Sequence, residues 1–288
     1  MKKMLLVFAL LAANAFASYS VREYKEPHFL GLKRHWTHHL NFLQTHRVMR
    51  LSAPAPVIGL YDLTPRVSPP EDQGNCGSCF DFSVTKALRS ALMLVGKDPG
   101  RLAFNYILNN CGPVHEEGCS GGDFDAGQNM LNGLGPWLES QDPYTAEEGS
   151  CPSGLAVAGT ALTWNTVGPG NRAPTFQELA TAISQNHMLS IDVAVCGQWG
   201  NYSSGIFDEN QCGAESINHM VNLVKYDCQT SVDANGNCVF DQNGQPKNGD
   251  GYLTVMNNWN TTWGEGGYMR TRYGVDAVAN TAMYFDVK

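Results

Sequence analysis

Nowhere do these 288 residues reach twenty uninterrupted apolar positions, so the sequence offers no membrane-spanning helix. Internal repeats and low-complexity tracts are also absent. Basic residues are scarce in the larger part of the chain: residues 56–288 carry 11 Lys/Arg against 25 Asp/Glu, and so acidic a body is a poor nucleic-acid partner. Histidine is scarcer there, limited to His115, His187 and His219. The nine cysteines are too dispersed for a zinc site. Asp233-Ala-Asn235-Gly-Asn237 lacks the glycine and the final acid of a calcium loop, and reads as a turn-rich hairpin tip. No metal and no cofactor are expected. Disorder is excluded by the 43% hydrophobic content.

What is present begins with an export signal at 1–17: Lys2 and Lys3, an apolar run from Met4 to Ala13, and a small-x-small site at Ala15-Phe16-Ala17. Such a chain is expected in the medium or a periplasm, an oxidising compartment where disulfides form. Residues 18–55 carry six Lys/Arg against two Glu, and five histidines (His28, His35, His38, His39, His46). This basic arm is expected to lie on the acidic body. Short helices are predicted around Phe29-Leu30-Gly31-Leu32 and His39–Leu43, followed by an extended linker at Ser52-Ala53-Pro54-Ala55-Pro56. The arm reads as a prosegment and junction, or alternatively as an extension that packs and stays.

Residues 56–288 divide in texture. Helical spacing runs from Cys79 to Val95, with shorter candidates at Leu102–Asn110 and Gly127–Gly133. Strands are predicted at Leu189–Val195, Ile217–Tyr226, Gly251–Trp259, Gly267–Tyr273 and Thr281–Val287. A helical first half and a β-rich second half predict an α+β protein of two lobes, with a substrate cleft between them.

An odd cysteine count in an exported chain leaves one thiol unpaired. Cys79, in Gln73-Gly-Asn-Cys-Gly-Ser-Cys79-Phe80 at a helix start, is best placed to become a nucleophilic thiolate. Its base is assigned to His219, at the start of an apolar strand, rather than to the loop residues His115 and His187. Asn257 can accept a hydrogen bond from the ring and fix its tautomer, with Trp259 covering that bond. The N–H of Cys79 and the side-chain amide of Gln73 are candidate donors to an oxyanion.

Four segments in order (Gln73–Cys79, Gly118-Cys119-Ser120-Gly121-Gly122, Asn218-His219, and Asn257–Tyr268 with Asn257-Asn-Trp259) resemble the papain family of cysteine peptidases. The resemblance covers roughly residues 60–288. It implies Cys79 as nucleophile, His219 as acid/base, Asn257 as orienter and Gln73 in the oxyanion hole. It further implies a helical N-terminal lobe and a β-barrel-like C-terminal lobe with the site between them, acting on peptide bonds through a thioester. Its short prosegment suggests a bacterial-type member. Disulfides Cys76–Cys119 and Cys111–Cys151 follow from the family pattern. Cys196–Cys212 and Cys228–Cys238 are inferred from proximity, with mixed pairing among these four left open. Gly121 and Gly122 would present backbone to an extended peptide. By alignment with the family, Phe124, Asp192, Ile217 and Ala282 would line a side-chain pocket, where a buried Asp192 would favour a basic or polar side chain. A solvent-facing Asp192 is the alternative.

The departures from the family pattern are Phe80 after the nucleophile, then Asp81, whose charge would oppose thiolate formation, and Asn260 in place of a usual glycine. A polar insertion at Cys228–Asp250 could form a lid favouring exopeptidase action. The expected activity is that of an exported, monomeric endopeptidase whose own prosegment covers the cleft. An exopeptidase, or a weakly catalytic homologue used as a binding module, is the rival.

Overall fold

A computed structural model describes residues 19–23, 29–33 and 56–288. The expected signal, the helix at His39–Leu43 and most of the linker lie outside the described residues.

The strands are β1 (Tyr19–Val21), β2 (Leu60–Asp62), β3 (Thr163–Thr166), β4 (Leu189–Val193), β5 (Tyr202–Phe207), β6 (His219–Asp227), β7 (Tyr252–Met256), β8 (Tyr268–Arg272) and β9 (Ala282–Asp286). The helices are α1 (Cys79–Leu94), α2 (Asn105–Leu108) and α3 (Phe176–Ser184). The strands run in the order β1-β5-β8-β7-β6-β4-β9-β3, with β2 also pairing to β6. Among the described strands, only β5 and β8 pair in parallel. Helices and helical turns concentrate before β3 and strands after it, the α+β arrangement expected. No helix among the described residues is long and apolar enough to cross a membrane.

Helix α1 joins the two halves. It packs against β6, β4 and β9 on one side and against the helical turn Phe124–Met130 on the other. Because it has neighbours on both sides, Ser83, Lys86 and Ser90 are buried along with Phe82 and Leu88. Ser83 secures the junction: its Oγ donates to Val221 O at 2.9 Å, and its carbonyl accepts from Asn222 Nδ2 and Ser190 Oγ. These bonds satisfy polar groups that burial would otherwise leave costly.

Helix α3 starts with a capping box, Thr175 Oγ1 accepting from Glu178 N while Glu178 accepts from Thr175 N. The strands predicted in the second half all form: β7, β8 and β9 are trimmed at both ends, β4 is shortened only at its C-terminal end, and β6 begins at His219 and runs one residue past its predicted end, to Asp227. Phe29–Leu32, predicted as a helix, is instead extended, with Leu32 bridged in parallel to Gly122. Four residues are too few for a self-sustaining helix, and pairing with Gly122 supplies the backbone bonds that a helix would have made.

The insertion after β6 is fastened by Cys228–Cys238 and wound by two similar turns. Asp233 Oδ1 accepts from the N–H groups of Asn235 and Asn237, and Asp241 Oδ1 from those of Asn243 and Gln245. It clasps residues 57–59: Gly59 N donates to Gly236 O and Cys238 N to Val57 O, both at 2.7 Å. The insertion leaves β6 at the end opposite His219, roughly 26 Å away along the strand at 3.3 Å per residue.

Candidate active site

Of nine cysteines, four disulfides take eight: Cys76–Cys119, Cys111–Cys151, Cys196–Cys212 and Cys228–Cys238. Cys79 alone is free. It is the first residue of α1 and has no exposed surface. Burial pushes its thiol up to about 12, opposed by backbone N–H groups of Met220, Gly31, Phe80 and Cys79 itself. Met220 N donates to Sγ at 3.4 Å, so the residue that follows His219 in β6 meets the cysteine across the junction of helix and sheet.

His219 opens β6, and its Nε2 lies 2.8 Å from Asn257 Oδ1, just past the end of β7. The same oxygen accepts from Asn258 N at 2.7 Å, so the amide is fixed before it meets the ring. Trp259 stacks on the imidazole at 4.8 Å and 24°. Trp199, which belongs to no motif, meets His219 edge-on at 6.4 Å and stacks on Trp263 at 5.4 Å. Asn258 carries no signal of its role in the sequence: its Nδ2 donates to Met220 O at 2.9 Å and to Cys79 O at 3.4 Å, tying the two sides of the site together.

Gln73 is fully buried beside this group. Its Nε2 donates to Cys76 O at 2.8 Å and to Phe29 O at 3.0 Å. Gly31 follows Phe29 closely: a Cβ there would fall 1.6 Å from Gly77 O, so only glycine fits. Gly122 N donates to Gly31 O at 2.8 Å, and Lys33 N to Gly122 O at 3.0 Å. Segment 29–33 thus lies along Gly121 and Gly122, and Lys33 pairs with Glu117. A Cβ on Gly121 would meet Gly31 O at 2.5 Å, and one on Gly122 would meet the Phe80 ring at 2.6 Å. Phe80 therefore forms the seat of Gly122.

The departures have local explanations. Burial pushes the Asp81 carboxyl well above its usual range, which disfavours a negative charge there, and Thr85 Oγ1 donates to it at 3.0 Å. Asn260 has φ 53°, the left-handed region that asparagine tolerates better than most residues. Phe124, Asp192 and Ala282 are buried, and Ile217 is half-buried at the core's margin. Asp192 Oδ1 accepts from Thr281 N at 2.7 Å, which excludes the solvent-facing alternative and commits that oxygen to the backbone beside Ala282.

The one close grouping of metal-ligand types among the described residues is Cys196, Cys212 and Asp276. Its two sulfurs are bonded to each other, so they cannot act as thiolate ligands.

The profile of papain family cysteine proteases matches residues 61–286. A cathepsin L-like proteinase of Fasciola hepatica is 30% identical over 201 residues, covering 69% of this chain and 55% of that protein. A cathepsin L-like peptidase of Aedes aegypti is 30% identical over 223 residues, covering 76% and 60% respectively. The chain thus spans little more than half the length of these curated relatives. Digestive procathepsin L 3 from Tenebrio molitor superposes with a TM-score of 0.66 at 25% identity, covering 87% of this chain and 79% of that structure. These relatives come from animals, so the bacterial-type expectation finds no support in them.

Proposed function

Because the chain belongs to the papain family of cysteine proteases, we propose that it is a cysteine peptidase with Cys79 as nucleophile. The observation that carries this reading is the one unbridged cysteine at a helix N-terminus, joined through Met220 N–H to the strand that presents His219 to Asn257. In the reaction, His219 takes the thiol proton and sulfur attacks the peptide carbonyl carbon. The carbonyl electrons move to oxygen, which Gln73 Nε2 and the Cys79 N–H stabilise. Collapse expels the amine, protonated by His219, and leaves a thioester. Water, deprotonated by His219, attacks the thioester and returns the thiol. Asn257 holds the ring for both proton transfers.

The arm at 18–55 is read as an inhibitory prosegment. Phe29 O rests on the donor reserved for the oxyanion, and Gly31 lies against Gly77 and the sulfur. Leu32, buried beside Gly122, occupies backbone that a substrate would need, and its position favours an apolar side chain at the equivalent place in a peptide. Endopeptidase action is supported by the insertion, which clasps residues 57–59 at the end of β6 remote from His219 instead of capping the cleft. The exported location rests on the leader-like start and the four disulfides.

The test is labelling by an epoxide-type thiol inhibitor after activation, together with hydrolysis of a peptide blocked at both ends. Both are expected in the wild type and lost in Cys79→Ala. Labelling that persists in Cys79→Ala rejects the assignment, and cleavage restricted to peptides with a free terminus replaces endopeptidase by exopeptidase.

A further inference from the structure

Tyr144 belongs to none of the groups that react, yet its hydroxyl touches both ends of the loop that carries the oxyanion donors. Tyr144 Oη donates to the backbone carbonyl of Gln73 at 2.8 Å. It also lies 2.7 Å from Ser78 Oγ, on the residue immediately before Cys79. A phenol has one proton, and the Gln73 carbonyl can only accept it, so Ser78 is the donor in the second bond. The sequence of bonds runs Ser78 to Tyr144 to Gln73, bridging a loop whose two ends hold Gln73 Nε2 and the Cys79 N–H.

The arrangement has a cost at the helix. Ser78 occupies the N-cap position of α1, where a serine hydroxyl ordinarily accepts a backbone N–H of the first turn. Here it makes no such bond.

Tyr144 is itself held firmly. Its N–H donates to Glu139 Oε1 at 2.8 Å, and its ring meets Phe82 edge-on at 4.8 Å and Phe104 at 5.9 Å. The preceding Pro143 carbonyl accepts from Asn105 Nδ2 at 3.1 Å, and Asp142 accepts from Trp137 Nε1 at 3.0 Å. The phenol therefore projects from a supported loop to a fixed point.

We infer that Tyr144 is a positioning residue that fixes the spacing of the two oxyanion donors by bridging Gln73 O and Ser78 Oγ. This rests on the peptidase reading of the site. It deepens that reading by separating two tasks: the pairing of Cys79 with His219 makes the nucleophile, whereas Tyr144 shapes the pocket for the oxygen of the tetrahedral intermediate. Small displacements of such donors are expensive, since deleting one outright costs about 10²- to 10³-fold in turnover.

The experiment compares wild type, Tyr144→Phe and Ser78→Ala as full chains after activation, using kcat and KM on a blocked peptide and the rate of iodoacetamide alkylation at Cys79. Alkylation requires the thiolate but forms no oxyanion. Tyr144→Phe is expected to lower kcat roughly tenfold or more, with KM and the alkylation rate within about twofold of wild type. Ser78→Ala, which keeps the bond to Gln73, is expected to lose less. A Tyr144→Phe kcat equal to wild type overturns the inference, as does an alkylation rate that falls in step with kcat. If Tyr144→Phe fails to fold, a Ser78→Ala kcat indistinguishable from wild type counts against the bridge, and a drop in kcat with unchanged alkylation supports it. A wild-type chain that neither hydrolyses the peptide nor alkylates at Cys79 defeats the peptidase reading itself, and this inference with it. Failure of Tyr144→Phe alone leaves that reading standing.

Discussion

Gln73 Nε2 donates to Phe29 O at 3.0 Å, placing a carbonyl oxygen of the basic arm on the amide proposed to stabilise the reaction's oxyanion. The arm therefore does more than shade the site, since it engages part of its machinery.

The thiol should consequently be inert in the full-length chain. A group pushed up to about 12 is ionised to only about one part in 10⁵ at pH 7. Alkylation of Cys79 by iodoacetamide is expected to be more than a hundredfold slower before removal of the arm than after it. Gly31→Ala, whose new Cβ would collide with Gly77 O, should displace segment 29–33 and accelerate alkylation of the uncleaved chain. Equal rates in wild type and Gly31→Ala would show that the segment does not seal the sulfur.

Asn257→Ala removes the acceptor that orients the His219 ring. On the order of a hundredfold loss in kcat with little change in KM is expected, because acid–base transfer depends on ring geometry while peptide binding is assigned to Gly121 and Gly122. Steady-state kinetics on one blocked peptide would check this, and an unchanged kcat would remove Asn257 from its role.

Lys86 on α1 is buried, with Nζ 3.4 Å from Asn257 O, and burial pushes it down to about 7. Between pH 7 and its unfolded value near 10.4, the unfolded chain holds a proton that the folded chain lacks, so this group makes stability rise with pH. Its destabilising effect is complete below pH 7. Lys86→Met should therefore stabilise the protein more at pH 6 than at pH 10, measured by urea unfolding with disulfides intact. A gain independent of pH would contradict a titrating lysine.

Glu116, beneath Gly122, gives the opposite slope. Burial, then the neighbouring Asp125 carboxyl, raise it to about 10. From its unfolded value near 4.3 up to pH 10, the folded chain holds a proton that the unfolded chain has released, so stability falls as pH rises. Glu116→Gln should leave stability nearly unchanged at pH 4 and raise it progressively toward pH 9. A flat difference between those pH values would mean that Glu116 is ionised in the fold.

Much of this was legible in the sequence because the signals were local. The odd cysteine, its place at the head of an apolar helix and the one strand-borne histidine of the body led to Cys79 and His219. Strands β4, β6, β7 and β9 stood out through their dense apolar and β-branched residues. Strand β5 did not: Tyr202-Ser-Ser-Gly-Ile-Phe has no alternation, and its place comes from pairing with β8 and β1. Phe29–Leu32 departs from its expected helix because an apolar tetrapeptide fits helix or extended chain equally well, and the constraint on Gly31 comes from Gly77, 46 positions away. Tyr144 gave no sign at all, being a lone tyrosine in a loop whose meaning depends on Gln73 and Ser78. Burial of Lys86 was equally invisible, since helical spacing does not show that both sides of α1 are covered.

β1 covers one edge of β5, with Tyr19 ring-packed on Phe207 and Ser20 beside Ser204. Shedding the arm would uncover that edge and leave its amide and carbonyl groups to solvent. Gly205, at φ 95°, breaks the regularity of the bared strand, and two serines precede it. A foreign strand would find only a short, interrupted template, so maturation need not trade latency for self-association.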